Sequence, residues 1–318
     1  MKAATKTASD GFQRARDYTR ARPMLGTLVE ISAGGPDANH VAAAIAQAFR
    51  AVETVHRLMS YHDPHSDVSR INREAALRPV TVHAWTWRVL AAAEKISEAS
   101  DGLFDITVAP VLAGLGYLPR HHGFPPVSGR GNWRHLELLP ECRVRCTHPL
   151  HIDLGGIAKG FAVDMAIEIL LACGMSHGRV NAGGDLRLFG TEMQTIHVRR
   201  PDSPTRLLPL IEIRQGAVAT SAGYFAAKRV AGRHVSPHIH PHYRSAIAPD
   251  HSVTVLAEEC IMADALTKAV LADPAKAGTL LAQFAACAFV MRDYPDTGAW
   301  HIASSGTGRP HPIDPQIK

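Results

Sequence analysis

The sequence predicts an α+β fold with mixed or antiparallel sheets and packed helices, and two observations carry this prediction. Segments with the alternating pattern of β-strands cluster in the second half of the chain, without the regular exchange of strand and helix that a doubly wound sheet requires. No internal repeat with a period of roughly 20–50 residues is present, which argues against a solenoid or a propeller. The 318 residues suffice for one large domain or two small ones.

The first half of the chain is predicted to hold one strand and two helices. Residues 25–32 alternate in the manner of a strand. Pro36 and Asp37 open a stretch with helical spacing that continues to Met59, and residues 84–99 form a second helix. Three further segments lack periodicity and are predicted to be turns, loops or exposed excursions: 60–72, 100–110 and 117–135.

Strands dominate the second half. A helix is predicted over 159–173, where Gly174 stops it, and another helix is predicted over 260–271. The segments with a β pattern are 178–189, 194–199, 207–213, 217–221, 252–257, 287–292 and 299–303.

The positive charge of the chain is concentrated at its start. The net charge is +5, and residues 1–23 hold six Lys/Arg against two Asp, so the rest of the chain is near neutral. We therefore predict a disordered basic tail over 1–23, a folded unit over 24–305 and a C-terminal tail over 306–318. No basic groove with interleaved aromatic residues is present, so no nucleic-acid partner is expected.

Cysteine usage and hydropathy bear on the setting of the protein. No apolar run approaches the roughly 20 residues that a membrane-spanning helix needs, so no membrane insertion is expected. The five cysteines are odd in number and scattered, which is not typical of a disulfide framework. The sequence starts without an apolar signal region, so a cytoplasmic protein is expected; a periplasmic one would need a leader that precedes this sequence.

The strongest local signal is HIDLGGIAKGFAVDMA over 151–166. A strand ends at Asp153, two glycines follow, and Lys159 and Gly160 stand at the start of a helix. Glycines allow a ligand to approach the backbone, and the free amides of a helix N-terminus favour a phosphate. A lysine adds a point charge for a pyrophosphate. The alternative is a turn that caps the helix, with a solvated lysine.

Two weaker motifs add polar groups. RVNAGGDLRLFG over 179–190 places Asp185 after a glycine turn, where its carboxylate could accept from a ribose or an amide; the alternative is an ordinary hairpin. CIMADALTKAV over 260–270 places Asp264 and Thr267 on one helical face, and such oxygen ligands suit Mg²⁺. The alternative for Asp264 is a surface ion pair with Lys268 at i+4.

Seven stretches, in order, resemble the ApbE-type FAD:protein FMN transferases over about residues 24–305: LGTLVEI, MSYHDPHSDVSRIN, GLFDITVAP, DLGGIAKGFAVD, VNAGGDL, AVATSAGYF and ADALTKAV. The resemblance implies a bimodular α+β fold related to the T-fold. It implies binding of FAD and Mg²⁺ and transfer of FMN to a Thr or Ser hydroxyl of an acceptor protein, with release of AMP. The alternatives are hydrolysis of FAD to FMN and AMP, and a flavin-binding or assembly protein with little turnover.

The resemblance also implies roles for individual residues. Asp153 and Lys159 should contact FAD, and Lys159 should offset phosphate charge during catalysis. The carbonyl of Gly156 and the carboxylate of Asp264 should ligate Mg²⁺, and Asp264 should help to take the hydroxyl proton. The remaining residues expected to line the dinucleotide site are Leu25, Ser60, Tyr61, Phe104, Asp105, Asn181, Gly183, Gly184, Asp185 and Ile239.

The chain departs from the family pattern at four positions. Leu25 replaces a methionine, and Gly223 and His240 each stand where the family has an aspartate. Lys268 occupies the position of a metal-proximal threonine, and Thr267 comes one residue earlier. A shift of one residue turns a side chain by about 100° around a helix, so either Thr267 or Lys268 could complete the site.

Histidines cluster in one further segment. His238, His240 and His242 alternate and would share one face of a strand, as the ligands of a transition metal could. The alternative is a loop that contacts the substrate and carries some solvated histidines.

Overall fold

The structure, a computed structural model, describes residues 18–127, 131–199, 205–230, 232–294 and 299–305. Its centre is an eight-stranded antiparallel sheet, and the α+β prediction is confirmed. In spatial order the strands of this sheet are β1 (Tyr18–Met24), β2 (Thr27–Gly34), β6 (His177–Ala182), β7 (Asp185–Phe189), β10 (Gly216–Ala222), β15 (His251–Ala257), β16 (Cys287–Tyr294) and β17 (Ala299–Ser305).

Smaller sheets and hairpins flank the central sheet. The sheets are β3 (Val80–Thr81) with β5 (Arg143–Cys146) and β4 (Leu136–Leu139), β8 (Gln194–Arg199) with β9 (Leu207–Ile213), β11 (Lys228–Val230) with β12 (Arg233–Val235), and β13 (Ile239–His240) with β14 (Ser245–Ala246). The helices are α1 (Ala38–Met59), α2 (Asp67–Glu74), α3 (Ala84–Ala99), α4 (Ala109–Gly114), α5 (Ala158–Ala172), α6 (Cys260–Ala272) and α7 (Ala277–Gln283). No helix in the described ranges is long and apolar enough to cross a membrane.

Helix α5 is the hub of the main core. It is apolar on most of its surface and packs against both α1 and α6. Phe161 is fully buried and belongs to the same cluster as Ile31 and Val180 of the sheet. On the opposite face, Val218 of β10 belongs to a second, smaller core beneath the β8–β9 hairpin. This division follows from the alternation of side chains along a strand, because Ala217 and Ala219 face the main core.

Several predicted elements were correct, and the exceptions have clear causes. The predicted helices over 36–59, 84–99, 159–173 and 260–271 are confirmed within one or two residues. The predicted disorder of 1–23 is wrong for residues 18–23, which lie in β1 and pair with β2 at the edge of the sheet. Residues 1–17 and the predicted tail over 306–318 lie outside the described residues.

Other exceptions lie at turns. The strand predicted from residue 25 begins at Thr27, because Leu25 and Gly26 form the two-residue β1–β2 turn with φ values of 55° and 70°. The predicted turn segment 60–72 contains the start of α2, whose first turn is capped by the Ser66 hydroxyl. The predicted loop over 100–110 leads into α4, where Pro110 occupies the first turn.

A buried asparagine fixes the segment that leads to Asp153. Asn72 of α2 donates to the carbonyl of Ile152 at 2.9 Å and accepts from the Ile152 amide at 2.7 Å. Both residues are almost completely buried. Residue 152 belongs to no strand, so its buried amide and carbonyl have no partner in a sheet, and the Asn72 side chain supplies both hydrogen bonds. The residue before Asp153 is thereby held in place.

We predict that Asn72→Ala lowers the free energy of unfolding by about 3 kcal/mol, because it leaves a buried amide and a buried carbonyl unpaired. Urea denaturation measures this change. Asn39→Ala, at an exposed position of α1, is the control and should change stability by less than about 0.5 kcal/mol. Equal effects of the two substitutions would contradict the anchoring role of Asn72.

Candidate active site

Two cavities meet to form one cleft beside the N-terminus of α5. The first, of about 460 Å³, is lined by apolar groups such as Phe104 and Ile239 and reaches Lys268. The second, of about 370 Å³, is lined by groups from the β1–β2 turn and the end of α1, including Leu25 and Tyr61. The residues that line both cavities are Leu118, Asp153, Gly155 and Lys159. The cleft therefore has two lobes, which we call the Phe104 lobe and the Tyr61 lobe, and a polar junction between them.

The junction is built by the turn that precedes α5. The amide of Asp153 donates to the carbonyl of Ile106 at 2.8 Å, which ties the turn to the segment before α4. Gly156 lies against the stem of Lys268, since a methyl group on its Cα would stand 3.5 Å from Lys268 Cε. Gly155, Ala158 and Lys159 line the cavities, so the start of α5 and its positive dipole end face the cleft.

Two lysines and two aspartates form a compact cluster at this junction. Lys159 Nζ donates to Asp185 Oδ2 and lies 3.7 Å from Asp264 Oδ2. Lys268 Nζ donates to Asp264 Oδ1 and also to the Asp264 carbonyl at 3.0 Å. The aspartate side chains are 1% and 0% exposed, whereas those of Lys159 and Lys268 are 31% and 20% exposed. The cluster therefore presents its positive groups to the cleft and keeps its carboxylates beneath them.

The carboxylate of Asp264 bridges two helices. Its Oδ2 atom accepts from the Gly160 amide at 3.0 Å, so a side chain of α6 satisfies an amide in the first turn of α5. The approach depends on glycine. A methyl group at Gly160 would lie 2.6 Å from the carbonyl carbon of Cys260 and 2.8 Å from Cβ of Asp264. Asp164 of α5 makes the converse contact, since its carboxylate accepts from the amides of Cys260 and Ile261 at the start of α6, at 2.9 and 2.8 Å.

Charge and burial set the protonation of the cluster. Burial alone would raise the pKa of Asp264, but the charges of Lys159 and Lys268 and the bond from Gly160 outweigh it and lower that pKa. The pKa of Asp185 is raised by burial and by the charge of Asp264. Burial works against the charge of Lys159, yet the two carboxylates outweigh it and raise its pKa. Asp264 is therefore ionised and both lysines serve it as counter-ions.

These residues do not fit the Mg²⁺ site that the family resemblance implies. The Asp264 oxygens already accept from the Lys268 ammonium and from the Gly160 amide. Thr267 is completely buried, where its hydroxyl donates to the Asp264 carbonyl at 2.6 Å and pairs with Ser221 Oγ at 2.8 Å. A divalent cation on Asp264 would stand beside the ammonium of Lys268. The carboxylate that was expected to bind the metal is thus already paired with the ammonium group of Lys268.

Most of the predicted site residues meet at the cleft. The cleft-lining members are Leu25, Ser60, Tyr61, Phe104, Asp105, Asp153, Gly156, Lys159, Gly183 and Ile239. Asp185 and Asp264 lie directly beneath, through their bonds to the two lysines. Asp105 also has a local task, since its carboxylate accepts from the Thr107 amide at 2.8 Å and caps the short 3₁₀ helix that follows.

Three predicted residues lie elsewhere. Asn181 and Gly184 line an adjoining cavity of about 730 Å³ under the β8–β9 hairpin, which shares Gly183 and Thr220 with the Phe104 lobe. The Asn181 side chain accepts from the Gly184 amide at 3.0 Å and shapes the turn. Thr267 is completely buried behind the wall of the cleft, where its hydroxyl pairs with the cleft-lining Ser221. Of the two alternatives for the α6 position, Lys268 faces the cleft and Thr267 does not.

Sequence reasoning missed several residues of the cleft. Tyr117 and Leu118 line it, although 117–135 was predicted to be an exposed excursion. The single proton of the Tyr117 hydroxyl is shared between the carbonyls of Ala226 and Val235, which lie 2.9 and 2.8 Å from its oxygen. His238, for which a loop in contact with the substrate was the alternative prediction, also lines the cleft, and burial with the nearby Lys268 charge lowers its pKa to about 3. The described residues contain no group of three or more His, Cys, Asp or Glu that could hold a metal ion, so the histidine segment forms no such site there.

The fold and the cleft define an α+β protein with a two-lobed cleft beside a cluster of two lysines and two aspartates. The sequence matches the ApbE family over residues 25–291, and the chain belongs to this family. The match covers every element from the β1–β2 turn to β16, including the whole lysine–aspartate cluster.

Individual relatives agree with this assignment. An FAD:protein FMN transferase of Vibrio cholerae serotype O1 is 27% identical over 273 residues, which cover 80% of this chain and 81% of that protein. One of Salmonella typhimurium is 25% identical over 278 residues, or 82% and 78% of the two chains. The crystal structure of the ApbE protein from Thermotoga maritima matches with a TM-score of 0.80 and 26% identity, over 91% of this chain and 97% of that one.

We predict that Gly160→Ala lowers the free energy of unfolding by about 1–3 kcal/mol and weakens ligand binding, because the added methyl group separates α5 from α6. Thermal unfolding and ligand titration measure the two effects. Gly278→Ala is the matched control: it lies in α7 with no atom within 4 Å of the added methyl group, and it should leave stability unchanged or raise it. A Gly160→Ala protein as stable as the wild type would contradict the close packing of the helices.

Asp153 should make stability depend on pH. Burial raises its pKa to about 6 from an ordinary value of 3.8, so the folded state holds the proton more tightly than the unfolded state. The contribution of Asp153 to the free energy of unfolding should therefore fall as the pH rises from about 4 to about 7, by up to roughly 2–3 kcal/mol. Asp153→Asn should remove this fall. Urea denaturation across that pH range measures the change, and Asp101→Asn, at an exposed position, is the control. If the free energy of unfolding of the wild type and of Asp153→Asn changed in parallel with pH, the prediction would be wrong.

Proposed function

We propose that this protein moves the FMN half of FAD onto a Thr or Ser hydroxyl of an acceptor protein and releases AMP. The observation that carries the proposal is the two-lobed cleft with Lys159 at its junction and Lys268 beside it in the Phe104 lobe. The named relatives support it, because they are FAD:protein FMN transferases that match this chain over about four fifths of its length.

The shape of the cleft suits FAD. The dinucleotide has a ring system at each end and a pyrophosphate between them. The Phe104 lobe and the Tyr61 lobe, with volumes of about 460 and 370 Å³, would each take one end. The pyrophosphate would then lie at the junction, where it would meet the start of α5, the Gly155–Gly156 turn and Lys159.

The residues at the junction would assist the transfer by position and charge. The acceptor oxygen attacks the FMN phosphorus, the bond from that phosphorus to the bridging oxygen breaks, and AMP departs with the electron pair. Lys159 would stabilise the charge that develops on the leaving phosphate. Asp264 holds the lysines in place; its lowered pKa and its two ammonium partners make it a poor acceptor for the hydroxyl proton.

Magnesium dependence, which the family resemblance implies, gains no support from the donors of this chain. The expected ligand Asp264 is engaged by Lys268 and Gly160, and Thr267 is turned into the core. We therefore assign the electrostatic part of the reaction to the lysines and derive no step through a metal.

We predict that FAD binds at least about tenfold more tightly than FMN or riboflavin, because only FAD can fill both lobes and place a pyrophosphate on the lysines. Calorimetric titration with the three ligands measures this. Lys159→Met should reduce the preference for FAD over riboflavin, with its melting temperature recorded to detect misfolding. Equal affinities of the wild type for all three flavins would contradict a dinucleotide site.

The transfer itself is tested by co-expression with candidate acceptor proteins and mass spectrometry of each acceptor. The proposal expects an added FMN mass on a Thr or Ser and release of AMP from FAD. Formation of free FMN and AMP, with no acceptor modified, would identify a hydrolase instead. Tight FAD binding without any cleavage would identify a flavin-binding protein.

A further inference from the structure

Lys268 is the lysine of the cluster that stands where the family pattern has a metal-proximal threonine. It lies one helical turn after Asp264 on α6, so its ammonium reaches back over the carboxylate. Its stem lies against Gly156, and the residue lines the same lobe as Phe104 and His238. A surface ion pair would leave both partners in water, but here the carboxylate is completely buried and the ammonium covers it on the side of the cleft.

We propose that the ammonium of Lys268 is a built-in cation that takes the place of a divalent metal on Asp264, so that this protein binds and cleaves FAD without Mg²⁺. The inference rests on the proposed function and adds to it which charge faces the pyrophosphate. It follows from the disagreement between the expected metal ligands and the contacts that they make.

The hydrogen bonds of the lysines support this role. An ammonium group has three protons to donate. Lys268 gives two of them to Asp264, to Oδ1 and to the main-chain carbonyl, which leaves one for a phosphate oxygen. Lys159 gives one to Asp185 and keeps two. The two lysines can thus offer three charge-assisted bonds to a pyrophosphate while the carboxylates fix their positions.

Electrostatics disfavour a metal in addition to Lys268. Two lysines already pair with Asp185 and Asp264, and of these four side chains only those of the lysines line the cleft. A divalent ion on Asp264 would have to displace the Lys268 ammonium or stand in contact with it. In the reaction, the acceptor oxygen–phosphorus bond forms, the bond to the bridging oxygen breaks, and the hydroxyl proton passes to solvent. Lys268 and Lys159 would then stabilise the negative charge on the departing AMP phosphate.

The test compares the full-length wild type with Lys268→Thr, which restores a hydroxyl ligand and removes the ammonium. Calorimetry measures FAD affinity in EDTA and in excess Mg²⁺, and electron paramagnetic resonance measures Mn²⁺ uptake with and without FAD. For the wild type we expect FAD affinities within about twofold of each other in the two buffers, and no Mn²⁺ uptake beyond that of FAD alone. For Lys268→Thr we expect at least about tenfold weaker FAD binding in EDTA, recovery in Mg²⁺ and uptake of one Mn²⁺.

Two further variants keep the test decisive. Lys268→Met retains the apolar stem, and it should also lose FAD affinity in EDTA if the charge is what matters. Lys276→Thr, which removes an exposed lysine just after α6, is the matched control and should behave as the wild type. A wild type that takes up one Mn²⁺, or that gains tenfold or more in FAD affinity with Mg²⁺, would overturn the inference.

The two proposals fail in different ways. If transfer is wrong, no acceptor gains FMN in either buffer, whether or not AMP is released, yet the Mn²⁺ titration still decides whether Lys268 occupies the metal position. If transfer is right and the inference is wrong, AMP release by the wild type falls at least about tenfold in EDTA and returns with Mg²⁺.

Discussion

The carboxylate of Asp264, held between the first turn of α5 and two lysine ammonium groups, is the interaction on which the site depends. A buried charge is tolerated only when it is paired and hydrogen-bonded, and Asp264 meets both conditions through Gly160, Lys159 and Lys268. Its position explains why the lysines lie at the surface of the cleft. Their long side chains span the distance from the buried carboxylates to the ligand.

The fold serves this arrangement by bringing two helices unusually close together. Gly160 permits the contact of α5 with α6, and Asp164 strengthens it by accepting from two amides at the start of α6. The antiparallel sheet contributes Asp185 from the start of β7, so that Lys159 meets a second carboxylate. Three separate elements therefore converge on the junction between the two lobes, and none of them could build it alone.

Much of the fold and the site could be predicted from the sequence, and the failures share physical causes. The long helices were predictable because their apolar spacing is regular, and the turn before Lys159 was predictable from its paired glycines and its lysine. The strand predicted to end at Asp153 is wrong, because residues 151–154 form an irregular segment that Asn72 holds through the backbone of Ile152. The edge strand Tyr18–Met24 was missed because it is polar and mostly exposed, so it has no alternation of apolar residues. The short helix α2 buries only two aliphatic side chains, Val68 and Ile71, which is too few to produce a periodic signal.

The burial of the ion pair between Asp264 and Lys268 could not be predicted from the local sequence. The i+4 spacing predicts the ion pair, but it cannot tell a solvated pair from a buried one, because burial depends on the approach of α5 more than a hundred residues earlier in the chain. The same limit applies to Thr267, whose direction is fixed by its bond to Ser221 on a different element.

The central claim is that the pyrophosphate of FAD lies on the lysine–aspartate cluster and that Lys268 supplies the cation there. A crystal structure of the complex with FAD, grown in the presence of Mn²⁺ and recorded with anomalous scattering, tests both parts together. The account predicts the pyrophosphate at the junction of the two lobes, bonded to Lys159 and Lys268, and no anomalous peak at Asp264. A Mn²⁺ ion bound to Asp264 with Lys268 displaced, or a pyrophosphate in the cavity under the β8–β9 hairpin, would contradict it.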